Sequence, residues 1–157
     1  MLMYPVVDLR KEPKPELSSC ELAKPLNPEF FHSINGKVSF AADGGLNTDV
    51  TTAQIASMGA DALKSIRKND EQYIVLTSVT EFRYRGARLT YNIDSSVIRA
   101  DSGAIVWQHT NKGSKWLGVF GGALDSATDN VAHQTKCEFL NLTIRKTFTS
   151  MPELVKY

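Results

Sequence analysis

The stretch YIVLTSVTEFRYRGARLTYNIDSSVIRADSGAIVWQHT, Tyr73 to Thr110, decides the fold. Tyr73–Tyr84 and Arg88–Arg99 are rich in β-branched and aromatic residues, and Arg85-Gly86-Ala87 between them suits a short hairpin turn. Asp101-Ser102-Gly103 is a second turn signal, after which Ala104–Thr110 makes a third strand. Successive side chains alternate across a strand, so Ile74, Leu76, Ser78, Thr80, Phe82 and Tyr84 are expected on one face. On the second strand Leu89, Tyr91, Ile93, Ser95 and Val97 share a face in the same way. The pattern predicts a three-stranded antiparallel meander.

Helical spacing flanks this meander on both sides. Upstream, Ile55, Met58, Ala62 and Ile66 recur at three and four residues, which predicts a helix from Val50 to Lys68 with one buried stripe. Thr48 or Asp49 is its expected cap, and Gly59 on the same side would let a strand approach closely. Downstream, a helix is predicted from Leu124 to Phe148, with Asp125 or Ser126 near its start. Leu124, Ala127, Val131, Cys137, Leu140, Ile144 and Phe148 share one side; Phe139 and Leu142 predict further cover elsewhere. Met1–Leu9 reads as a first strand that Pro5 places at an edge or a bulge, and Lys37–Phe40 as another before a turn at Asp43-Gly44-Gly45. Residues 10–36 hold Pro13, Pro15, Pro25 and Pro28 and read as an irregular surface excursion. The expected fold is α+β: a single domain over 1–157, with two main helices packed on a mostly antiparallel sheet.

Composition narrows the function without naming it. In 157 residues, 18 Lys+Arg oppose 17 Asp+Glu, and a net charge of +1 gives no overall push toward nucleic acid or anionic lipid. No apolar run approaches the roughly 18 residues of a membrane-spanning helix. Leu17-Ser18-Ser19-Cys20 superficially matches a lipoprotein cleavage box, but Arg10–Glu16 before it is too polar for a signal core, and Met1–Leu9 has no basic leader. Two cysteines, Cys20 and Cys137, make no disulfide-rich scaffold, and Cys137 reads as a small hydrophobe within a helical stripe.

Catalytic candidates each have a stronger structural reading. His32, His109 and His133 are scattered, with no Cys, Asp or Glu at ligand spacing, so no metal and no cofactor is expected. Glu81, Asp94 and Asp101 make a conceivable acid/base set, but Glu81 and Asp94, on opposite strands of the hairpin, alternate with apolar residues as a solvated sheet face does. Asp43-Gly44-Gly45 and Gly118–Gly122 lack the spacing of a phosphate cradle, and Asn141-Leu142-Thr143 falls in a helix, where a glycosylation sequon is accidental. Two binding candidates remain. Trp116, Leu117, Val119 and Phe120 lie among glycines and make a candidate partner contact, unless they tuck under the last helix. Arg83, Tyr84, Arg85 and Arg88 form a basic-aromatic cluster that suits an anionic ligand, or a charged hairpin tip that discourages edge pairing.

The segment ADALKSIRKNDEQ before the meander, Ser78-Val79-Thr80-Glu81 within it, and Ala100-Asp101-Ser102-Gly103-Ala104-Ile105-Val106-Trp107 at its second turn occur in a recognisable order. In this order the chain resembles bacterial envelope lipoproteins related to the curli secretion protein CsgG and to the TolB N-terminal-like fold. The resemblance implies a periplasmic, outer-membrane-associated accessory protein that takes part in assembly, secretion or cell-wall synthesis. Such a protein is not an enzyme: it binds envelope proteins or itself as an oligomer, with membrane association through a lipid anchor that this sequence does not carry. The sequence shows no alternating run long enough for pore hairpins, so pore activity is not implied. The alternative is a cytoplasmic binding module that uses the Arg83–Arg88 hairpin on nucleic acid or another anionic ligand, which the neutral charge balance disfavours.

Overall fold

The computed structural model describes residues 1–11, 39–40, 46–47, 51–67, 70–116 and 130–151. Among these the strands are β1 (Leu2–Met3), β2 (Val6–Asp8), β3 (Ser39–Phe40), β4 (Leu46–Asn47), β5 (Tyr73–Arg85), β6 (Arg88–Arg99) and β7 (Ile105–Trp116). The helices are α1 (Thr52–Ala56), α2 (Ala60–Ile66) and α3 (Asn130–Phe148). All strands join one mixed sheet, and the expected α+β architecture is the one observed.

The long antiparallel pairs β5–β6 and β6–β7 form the predicted meander. β7 runs six residues past the predicted Thr110, so Asn111–Trp116 is strand, with Gly113 paired opposite Tyr91. On its other side β5 pairs in parallel with β1 and β2, through Leu2↔Ile74 and Val7↔Ser78. The N-terminal segment is therefore interior, flanked outward by β3 and β4, and not an edge. Of the two places expected for Pro5, the bulge is the one observed, and it splits the segment into β1 and β2. Four steps from Met3 to Val7 face three from Val75 to Ser78, so one extra residue is accommodated where proline cannot donate to the ladder.

The alternation on β5 also differs from the expected one. Val79 pairs with Ile93 but Glu81 pairs with Asn92, which leaves Thr80 as a bulge whose hydroxyl donates to the Asn92 carbonyl at 3.2 Å. The bulge inverts the phase of the strand. Ile74 and Leu76 consequently face one side and Phe82 and Tyr84 the other. On β6, by contrast, Leu89, Tyr91, Ile93 and Val97 do share a face.

Two cores result. On one face Val75, Val79, Phe82, Tyr84, Leu89, Ile93 and Val97 pack under Leu140, Ile144 and Phe148 of α3. On the other face Leu2, Ile74, Leu76, Ile98 and Ala100 pack under Ile55 of α1 and Leu63 of α2. The single helix predicted over 50–68 is thus two short ones, interrupted at Ser57–Gly59. Thr51 caps α1 through a capping box with Gln54, and Leu63 rather than Ala62 is the buried residue of α2. Gly59 has open space around it, so it is no close-approach site. On α3 the buried stripe is Leu140, Ile144 and Phe148, and Phe139 packs against the same core; Leu142 is exposed, not covered. Asn111 of β7 fastens α3 to the sheet, donating to the Thr143 carbonyl at 3.1 Å and the Thr147 hydroxyl at 3.2 Å. No helix among the described residues is long and apolar enough to cross a membrane.

Candidate functional site

The β5–β6 turn supplies one end of the site. Gly86 sits at φ 57°, the left-handed conformation this tight turn requires, and it brings Arg85 directly opposite Arg88. On the far side of β6, Arg88 is opposite Trp116, the last residue of β7. Directly opposed residues in antiparallel strands share a face, so Arg85, Arg88 and Trp116 form one row across three strands. All three are exposed, Trp116 to 74%. The two candidates that are separate in sequence, the Arg83–Arg88 hairpin and the Trp116 segment, meet here.

The rows behind are polar. Arg83 donates to Glu81 at 3.0 Å, Arg88 is held by Ser114, and Lys112 stands opposite Asn92. Asp94 accepts from the Thr110 hydroxyl at 2.5 Å. Glu81 and Asp94 lie on this solvated face, as their alternation predicts; the nearest pairings of Glu81 are Asn92 across the strand and Arg83. Among the described residues no carboxylate pairs with Arg85 or Arg88.

Tyr84 does not belong to this surface. The Thr80 bulge turns it to the opposite face, where it is buried edge-on against Phe82 with the Lys136 ammonium 5.7 Å from its ring centre. Its hydroxyl has no hydrogen-bond partner among the described residues, and burial pushes the phenol well above its ordinary value. Of the predicted anionic-contact set, Arg83, Arg85 and Arg88 remain together and Tyr84 drops out. Leu117, Val119, Phe120 and His32 lie outside the described residues, as does the side chain of His133.

His109 lines the helix-facing side of β7, stacked on Trp107 with ring centres 6.0 Å apart, and Trp107 in turn meets Phe148 at 5.5 Å. Asp101 is exposed and paired with Arg99, whose hydrogen bonds hold the carboxyl below its ordinary range. Cys137 is disulfide-bonded, not the unpaired small hydrophobe expected. Spacing cannot reveal such a bond, because a disulfide depends on proximity in space.

Sequence reasoning also misses a buried ion pair. Arg10 donates to both carboxylate oxygens of Asp8, at 2.8 and 2.7 Å, with side chains 6% and 5% exposed. Its bidentate geometry satisfies both partners, so it reads as a lock at the end of β2. No group of three or more metal-ligating side chains occurs among the described residues. The chemistry this geometry offers is binding, through guanidinium donors and an indole face.

No protein-family model and no curated protein matches the chain. Among solved structures it is similar to the PelC dodecamer from Paraburkholderia phytofirmans, at 16% identity and TM-score 0.47, covering 90% of this chain and 85% of that one. It is also similar to the lipoprotein GNA1162 from Neisseria meningitidis, at 12% identity and TM-score 0.43, covering 92% and 98%. A third is protein XCC0632 from Xanthomonas campestris, of family DUF330, at 12% identity and TM-score 0.39, covering 94% and 82%.

Proposed function

We propose that this chain is a non-enzymatic accessory component of the bacterial cell envelope that works by protein binding and self-association. The observation that carries the binding role is Trp116, 74% exposed at the end of a twelve-residue strand. A large apolar ring left in water at a strand terminus costs solvation free energy that a partner recovers, and Trp is a frequent interface anchor. Beside it, β7 bonds to β6 alone among the described residues, so its other edge offers backbone groups for strand addition.

Cys137 supports the compartment. Disulfides persist in oxidising spaces such as the bacterial periplasm and are rare in the cytosol. The same bond counts against a cytoplasmic nucleic-acid module. The sequence resemblance to envelope lipoproteins points the same way.

Sedimentation velocity of the full chain over rising concentration tests the reading. Self-association that Trp116→Ala weakens by about tenfold or more, with an unchanged melting temperature, supports it. A chain that stays monomeric throughout, or a variant that associates as the parent does, overturns the role of Trp116.

A further inference from the structure

We propose that the Arg85–Arg88–Trp116 row docks on an anionic phospholipid bilayer. The inference rests on the reading of the Trp116 end as a contact surface and names what that end touches.

Three observations carry it. First, Arg85 and Arg88 face each other directly in the last pair of the hairpin, an arrangement of like charges that disfavours the folded hairpin. No carboxylate among the described residues relieves either one. Folding alone gives no reason for that pair, whereas an external anion between or beneath the guanidiniums does. Phosphate esters are the group a guanidinium fork binds best.

Second, the indole beside them is exposed and stands in the same row. Trp combines an apolar ring with an N–H donor and concentrates at the headgroup level of membranes, where both are satisfied. A ring with guanidiniums to one side of it fits that boundary in two ways: the ring enters the acyl edge while the cations hold phosphates. Lys112, two rows back on the same face, extends the positive field, while Arg83, one row back, is paired with Glu81. The near-neutral whole-chain charge hides this local concentration.

Third, the row lies at the tip of the hairpin, beside the exposed Gly86. A tip meets a plane. A single strand of nucleic acid instead runs along a groove paved with several aromatic platforms, and the open face carries one aromatic side chain among the described residues, Trp116. The lipid surface is therefore the favoured occupant.

Co-sedimentation of the full chain with vesicles tests this, comparing phosphatidylcholine alone with phosphatidylcholine containing phosphatidylglycerol. Binding is expected only with phosphatidylglycerol, to fall as salt rises, and to blue-shift the Trp116 emission. R85E/R88E should weaken vesicle binding by about tenfold or more at an unchanged melting temperature. Trp116→Phe should abolish the emission shift, which Trp107, packed against Phe148, cannot supply. Equal binding to both vesicle types, no binding to either, or a preference for polyuridylate over phosphatidylglycerol vesicles overturns the lipid assignment. Self-association that Trp116→Ala weakens, together with absent vesicle binding, defeats only the lipid assignment. A Trp116→Ala chain unchanged in both assays defeats the contact surface itself.

Discussion

Before Thr80, β5 buries four residues in succession, Ile74 to Thr77, because α1 and α2 cover one face there and α3 the other. Beyond Thr80 burial alternates: Phe82 and Tyr84 are buried, Arg83 and Arg85 exposed. The same three strands therefore make a sealed wall at one end and a half-open one at the other. Sealed sheet surface serves stability, whereas a face left open at no folding advantage is free to carry contacts. The bulge at Thr80 is what allows both, since it turns apolar residues to the helix side and charged residues outward.

The largest effect is expected on the sealed half. Ile98 and Thr90 both lie on β6 and on the same face, but Ile98 is fully buried under α1 and α2. Ile98→Ala should cost about 3 kcal/mol, and Thr90→Ala roughly 0.5 kcal/mol or less, by urea unfolding. Similar costs for both would mean the open half is sealed by a part of the fold outside the described residues.

A smaller loss is expected for Gly103→Ala. Gly103 sits at φ 72°, and an added Cβ would meet Leu63 Cδ1 at 3.3 Å and the Ala56 carbonyl at 3.4 Å. Backbone strain and crowding should together lower stability by about 1–3 kcal/mol. A melting temperature equal to the parent's would show that α1 and α2 yield freely, so that this half is less tightly closed.

Tyr84→Phe is expected to act in the opposite direction and least at neutral pH. Its buried hydroxyl lacks a partner among the described residues, so removing it should stabilise the fold by about 1 kcal/mol. The native phenol keeps its proton above the pH near 10 at which the unfolded chain releases it. That stability is whole below pH 10 and is lost as pH rises beyond it; the phenylalanine variant should show a shallower alkaline decline. Equal alkaline profiles would show that the Tyr84 ring is not sealed beneath α3.

What could be read from sequence follows the range of the forces involved. The meander was legible because turn residues and β-branched runs act locally, and Gly86 and Gly103 both adopt the positive φ that a turn imposes. The phase of β5 was not legible: the alternation of YIVLTSVTEFRY looks the same whether or not a bulge interrupts it at Thr80. The break between α1 and α2 is likewise hidden, since the spacing of Ile55, Met58 and Ile66 continues across it. For the site, Arg83–Arg88 and Trp116 each stood out by residue type. Their meeting depends on β7 continuing to Trp116, and Gly113 in mid-strand disguised that continuation. The pairing of Cys137 and the Asp8–Arg10 lock are tertiary and left no local mark.

The parallel pairing of β1 and β2 with β5 has a kinetic consequence. The meander closes through neighbouring turns, and such local hairpins form within microseconds. Leu2 must instead find Ile74, and that long loop closes only after its partner strand has left the ribosome. Until then MLMYPVV is a stretch of apolar, strand-forming side chains with nothing to pair with, and such stretches aggregate. Pro5, which splits the finished strand, also interrupts that run during the wait, so the residue that weakens the native ladder guards the chain while it folds.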